Sequence, residues 1–140
     1  MKAVLLGTTL LLVAGGALAC KCAHLSLAEQ VSSADVVFVG STQSSPSRPG
    51  REGETITFKV TRGIKAIQAG ASIAIDPRFA SDCAAQFQPG IQLLVFAYKA
   101  SAGSFSTSAC SVRAAESFPI GGHMVQPAPE TLKFLNGGGT

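Results

Sequence analysis

Four cysteines carry most of the chemistry that this sequence of 140 residues offers: Cys20, Cys22, Cys83 and Cys110. Two of them lie in Cys20-Lys21-Cys22, and His24 extends the run to Cys-x-Cys-x-His. Side chains two residues apart share a face of an extended segment. Two thiolates and an imidazole on one face could therefore hold a metal ion, provided that the thiols are free. Oxidation is the competing chemistry. In an oxidising compartment an even number of cysteines reads as a disulfide framework, and four cysteines allow three pairings. A Cys20–Cys22 bridge would close a strained ring. The pairings left open are 20–83 with 22–110, and 20–110 with 22–83. Either set closes loops of more than 60 residues, each of which stabilises by about 4 kcal/mol in the chain-entropy account. Alternation turns Cys20 and Cys22 towards the body of the domain and Lys21 outwards.

The remaining reactive residues are sparse. Ser81-Asp82, Asp76 and His123 supply the types needed for a nucleophile, a carboxylate and a base, but they form no nucleophile elbow and no H-E-x-x-H. We expect no enzymatic activity and no cofactor. Asp35 reads as a helix-to-strand junction residue and Asp76 as a strand terminator. His123 follows Gly121-Gly122 and reads as a solvent-facing loop residue. Net charge is only +3, and there is no Trp and one Tyr. So weak a charge, without a basic cluster or an aromatic platform, argues against nucleic acid as partner. Arg48, Arg51, Arg62 and Lys65 read as a solvated, mildly basic side.

The compartment follows from the first residues. Met1-Lys2, the apolar run Ala3 to Val13, Gly15-Gly16 and Ala17-Leu18-Ala19 have the order of a signal peptide with an A-x-A cleavage site. The expected division is therefore a signal peptide over 1–19, one domain over 20–137 and a frayed tail over 138–140. Cleavage makes Cys20 the mature N-terminus of a secreted protein, extracellular or periplasmic. The apolar stretch is too short to span a membrane, and no second one follows. The rival reading is a lipoprotein anchored through Cys20. It would leave three cysteines to pair, and Ala17 stands where such sites carry Leu.

These residues need a frame. Ser26-Leu27-Ala28-Glu29 has the spacing of a capping box, followed by a short helix over Leu27 to Ser33. Val36 to Val39 is an apolar, β-branched run that closes at Gly40. Residues 41–53 form a polar loop. Thr55 to Thr61 alternates with period two, and Gly63 interrupts that strand before Ile64. Ser72 to Ile75, Ile91 to Tyr98 and Gly103 to Ala109 supply three more strands. Pro129 and Gly137 frame a C-terminal helix. The runs at 36–39 and 93–97 are core. Five short strands between two helices predict an all-β domain with accessory helices, a five-stranded Greek-key barrel of the OB type.

Cys20-Lys21-Cys22 behind a signal peptide, a helix, and then Ala34-Asp35-Val36-Val37-Phe38-Val39-Gly40 resemble the N-terminal domain of the tissue inhibitors of metalloproteinases, a netrin-like module. Cys83, with Phe87-Gln88-Pro89-Gly90 and Leu93 to Ala97, resembles that family's second cysteine region. Cys110 and Leu132 to Gly137 resemble its closing segment. The resemblance implies an OB-fold and the pairings Cys20–Cys83 and Cys22–Cys110. It also implies a mode of action. The terminal amine and carbonyl of Cys20 would chelate the catalytic zinc of a target protease, with Lys21 in the adjoining specificity pocket. Cys22, Ala23, Ser81 and Asp82 would touch the protease. The chain departs from the family at Lys21, where a small Thr or Ser is usual, and lacks its third disulfide and its second cysteine-rich domain.

Three functions follow as expectations. The first is a secreted metalloprotease inhibitor, monomeric, with a zinc metalloendopeptidase as partner and no metal of its own. The second is a binding or adhesion module on the same barrel with no inhibitory role. The third is a metal or redox site at Cys20, Cys22 and His24.

Overall fold

A computed structural model describes residues 20–43, 55–77, 87–100 and 103–138. The leader, most of the 41–53 loop, Ser81, Asp82 and Cys83 lie outside the described residues.

Helix α1 spans Leu27–Ser33 and starts as its spacing predicts: the Ser26 side chain accepts from the Glu29 N–H, and the Glu29 carboxylate accepts from the Ser26 N–H at 2.7 Å. Among the described residues there are eight strands, which follow in part from the expected runs. They are β1 (Val36–Thr42), β2 (Ile56–Lys65), β3 (Ser72–Asp76), β4 (Leu93–Lys99), β5 (Phe105–Ser106), β6 (Val112–Ala114), β7 (Phe118–Ile120) and β8 (His123–Val125). Helix α2, Pro129–Lys133, carries Pro at its first turn and runs into a looser turn, Phe134–Gly138, in which Gly137 takes φ 90°. Pro129 and Gly137 thus frame the C-terminal helix as expected.

β1 pairs with both β2 and β4, all antiparallel. β3 continues from β2, and a short parallel seam joins β3 to β5 at Ile75–Phe105 and Asp76–Ser106. β5 returns to β4, so five strands close into a barrel in the order β1-β2-β3-β5-β4. β6 adds to the outer edge of β4, and β7 with β8 form a separate hairpin.

The sequence pattern explains which strands face what. β2 and β3 alternate between buried and exposed residues, because only their inner faces are covered. β1 and the run Leu93 to Ala97 of β4 are buried throughout. Their inner side chains, including Val36, Phe38, Leu93 and Val95, fill the barrel with Phe58, Val60, Ile75 and Phe87. Their outer side chains, Val37, Val39, Leu94 and Phe96, pack under Leu27 and Val31 of α1 and under Phe134 and Leu135. A strand covered on both sides loses its period-two signal and reads as a continuous apolar run. The Phe58 ring meets Phe38 and Phe87 edge-on at centroid distances of 5.6 and 5.0 Å, a preferred aromatic geometry.

Several boundaries differ from the sequence reading. β1 runs on to Thr42, past Gly40. Gly63 does not end β2: the strand continues to Lys65 and absorbs irregularities opposite Val37/Phe38 and Val39/Gly40, which is how β-bulges sharpen the curl of a closing sheet. The fifth strand shrinks to Phe105–Ser106, and a turn of 3-10 helix at Ala109–Ser111 carries Cys110 instead. His123 begins a strand rather than lying in a loop, and it is solvent-exposed as expected.

Candidate functional site

The N-terminal segment reaches the barrel through one described covalent bond. Cys22 pairs with Cys110, with Cα atoms 5.3 Å apart and a sequence separation of 88. Cys20 is disulfide-bonded as well; Cys83, its expected partner, lies outside the described residues. The described residues contain no free cysteine and no cluster of three metal-ligating side chains. The Cys-x-Cys-x-His metal site is thereby overturned: both of its sulfurs are oxidised in disulfides, and the thiolate is the form of cysteine that ligates a metal.

Residues 20–26 form no regular secondary structure, and all of them are exposed. Cys22 turns its sulfur to the domain, as alternation predicts, and bonds the half-buried Cys110. Cys20 and Cys22 are nonetheless both exposed, so the tether runs over the surface. Lys21 is exposed as expected, and so are Ala23 and His24. The one backbone hydrogen bond described within the segment runs from Leu25 N–H to Ala23 O at 2.9 Å.

Beneath this segment lies a recess of about 410 Å³, walled by Cys22 to Ser26, Gln30 of α1, Ala109 and Cys110, Val112 and Arg113 of β6, and Glu130 of α2. Gln30 is 5% exposed. Its amide donates to Leu25 O at 3.5 Å and accepts from Arg113 Nε at 3.4 Å. Arg113 Nη1 stands 3.5 Å from Glu130 Oε1. A second recess of about 340 Å³, lined mostly by apolar residues including Phe87, Ile91, Leu93, Phe118 and Ile120, opens elsewhere on the barrel.

Of the residues weighed for a hydrolytic triad, Ser81 and Asp82 lie outside the described residues. Asp76 closes β3, where its carbonyl accepts from the Thr107 N–H at 3.0 Å, and His123 opens β8. Asp35 is the junction residue expected of it, and its carboxylate accepts from the Lys99 N–H at 2.7 Å. Two cations read as solvated are engaged instead. Arg62 donates to Leu135 O, and Lys65 Nζ donates to Val31 O and Ser32 O at 2.8 and 3.0 Å and also to Ala34 O. Sequence reasoning missed Gln30 and Arg113 altogether. Each is an ordinary polar residue in its local context, and only the fold places Arg113 beside a residue 83 positions away.

Among the described residues no helix is long and apolar enough to cross a membrane. Compared with known proteins, the chain matches no family model, no curated protein and no solved structure.

Proposed function

We propose that this chain is a secreted inhibitor of zinc metalloendopeptidases, similar in mode to the tissue inhibitors of metalloproteinases. The observation that carries this reading is an exposed Cys20-Lys21-Cys22 segment held on a closed barrel by Cys22–Cys110. Removal of the leader leaves the Cys20 α-amine free. An α-amino group loses its proton at about pH 7.7–8.0, so a lone pair is available at small cost near neutrality. A catalytic zinc keeps one position open for water, and the amine and carbonyl of Cys20 take that place. A rigid tether lowers the ordering cost of binding. Lys21 enters the adjoining pocket and needs an acceptor there, because an unpaired buried ammonium is costly. Ala23, with Ser81 and Asp82, lines the contact.

The fold supports the same reading. β1, β2 and β3 run consecutively and β4 lies beside β1, which is the spatial order of a Greek key. We assign the barrel to the OB type on this order, and the second staple to Cys20–Cys83. The partner is a protein, and the inhibitor acts as a monomer.

The test is a comparison of two proteins against a panel of zinc endopeptidases: one beginning at Cys20, and one with a single Ala placed before it. The first should inhibit, and the added residue should weaken inhibition at least a hundredfold, because it moves the amine off the zinc. Equal inhibition by both overturns chelation. Inhibition by neither returns the chain to a binding module on the same barrel.

A further inference from the structure

The recess under the N-terminal segment is built from polar groups that hold one another loosely. Normal N–H···O bonds lie near 2.9 Å, and charged pairs are shorter still. Here the three contacts that join Leu25, Gln30, Arg113 and Glu130 are 3.5, 3.4 and 3.5 Å. Gln30 is buried, so its amide is short of good partners in a place where an unsatisfied polar group is expensive. Arg113 is largely covered, with its side chain 25% exposed, whereas the Glu130 side chain is 59% exposed and free to swing outwards. Glu130 is the single carboxylate among the residues described as lining the recess, and Arg113 and His24 are its basic groups.

We propose that this recess binds a carboxylate group of a peptide, and that Glu130 is an internal stand-in for it. In the free protein the Glu130 carboxylate rests against Arg113 at the mouth. An incoming carboxylate displaces it, takes a two-pronged bond from the Arg113 guanidinium and draws the free N–H of the Gln30 amide to itself. Leu25 and Val112 give the adjoining chain an apolar wall. The site is separate from the Cys20 amine and stands whether or not that amine meets a zinc.

The experiment is an NMR titration of the ¹⁵N-labelled, disulfide-intact chain with three N-acetylated tetra-alanine-based peptides. One ends in a free carboxylate, one is C-terminally amidated, and one is amidated and carries a single internal Asp. Binding of either acidic peptide should shift the Arg113 Nε–Hε and Gln30 side-chain amide signals, and the neutral peptide should leave them in place. Response to the free terminus alone or to Asp alone identifies the source of the carboxylate. Glu130→Gln should tighten binding about 3- to 10-fold, the scale of a partly exposed ion pair. Arg113→Gln should weaken it at least tenfold. Glu130 is exposed, so its variant tests the displacement even if the Arg113 variant folds poorly. No shift at millimolar peptide, equal binding of the neutral peptide, or unchanged affinity in Glu130→Gln overturns the proposal.

Discussion

The ammonium of Lys65 sits among the carbonyl oxygens of Val31, Ser32 and Ala34, at the end of α1 where carbonyls lack helical partners. A cation there also meets the negative end of the helix dipole. Lys65→Met keeps the stem and removes the charge. It should cost about 1–2 kcal/mol, read as a lower midpoint in urea unfolding. At the other end of α1, both the Ser26 N–H and the Ser26 hydroxyl bond the Glu29 carboxylate and hold its pKa below the usual 4.5. A lowered folded pKa means that the folded state favours the ionised form. The contribution of Glu29 is therefore present above its unfolded pKa and lost as pH falls through the folded value. The stability gap between wild type and Glu29→Gln should shrink on acidification below about pH 4, measured by urea midpoints against pH. A gap that widens in acid contradicts the assignment. These two residues also show what a sequence exposes at this scale. The capping box was legible because its partners lie three positions apart. Lys65 finds partners 31 to 34 positions away, and no local pattern announces them.

At the scale of elements, the informative feature is the contrast between strands that alternate and strands that do not. The alternation of β2 and β3 and the unbroken apolar runs of β1 and β4 were legible, since burial on one side or two writes directly into the residue order. β6, β7 and β8 were not, because three residues are too few for a period. Gly121-Gly122 between Phe118-Pro119-Ile120 and His123-Met124-Val125 did carry the signal of a two-residue hairpin turn. Gly63 was legible as special but not in its purpose. A Cβ there would lie 1.9 Å from Ile67 O and 2.8 Å from its carbonyl carbon, so the close approach of that backbone to β2 demands glycine. Gly63→Ala should destabilise by about 2 kcal/mol or more, because backbone rather than a side-chain tip must move. Ala66, at φ 56°, is the reverse case. Ala66→Gly relieves a left-handed alanine and should be neutral or stabilising by up to about 1 kcal/mol. Thermal or urea unfolding of the two variants, with opposite signs expected, checks the geometry of the turn that follows β2.

For the whole molecule, the question is how a surface tether relates to a closed barrel. The barrel is complete without the N-terminal segment: its five strands bond to one another, and its buried interior is formed by their own side chains with Phe87 and Ile91. Residues 20–26 add no strand to it. Cys22–Cys110 therefore acts on the unfolded chain, by shortening its accessible loops, and on the position of the segment, rather than on the core. The double variant Cys22→Ser with Cys110→Ser should still close the barrel. Its unfolding free energy should fall by about 4 kcal/mol if the loop closes freely in the unfolded state. Its NMR shifts should change at 20–26 and 109–113 and stay put in β1 and β4. Changes that spread through β1 and β4 would make the staple part of the core and refute this division. The same folded variant separates position from fold in the proposed function. With the chelating end no longer held at its second anchor, ordering must be supplied on binding, and inhibition should drop at least tenfold while the barrel persists.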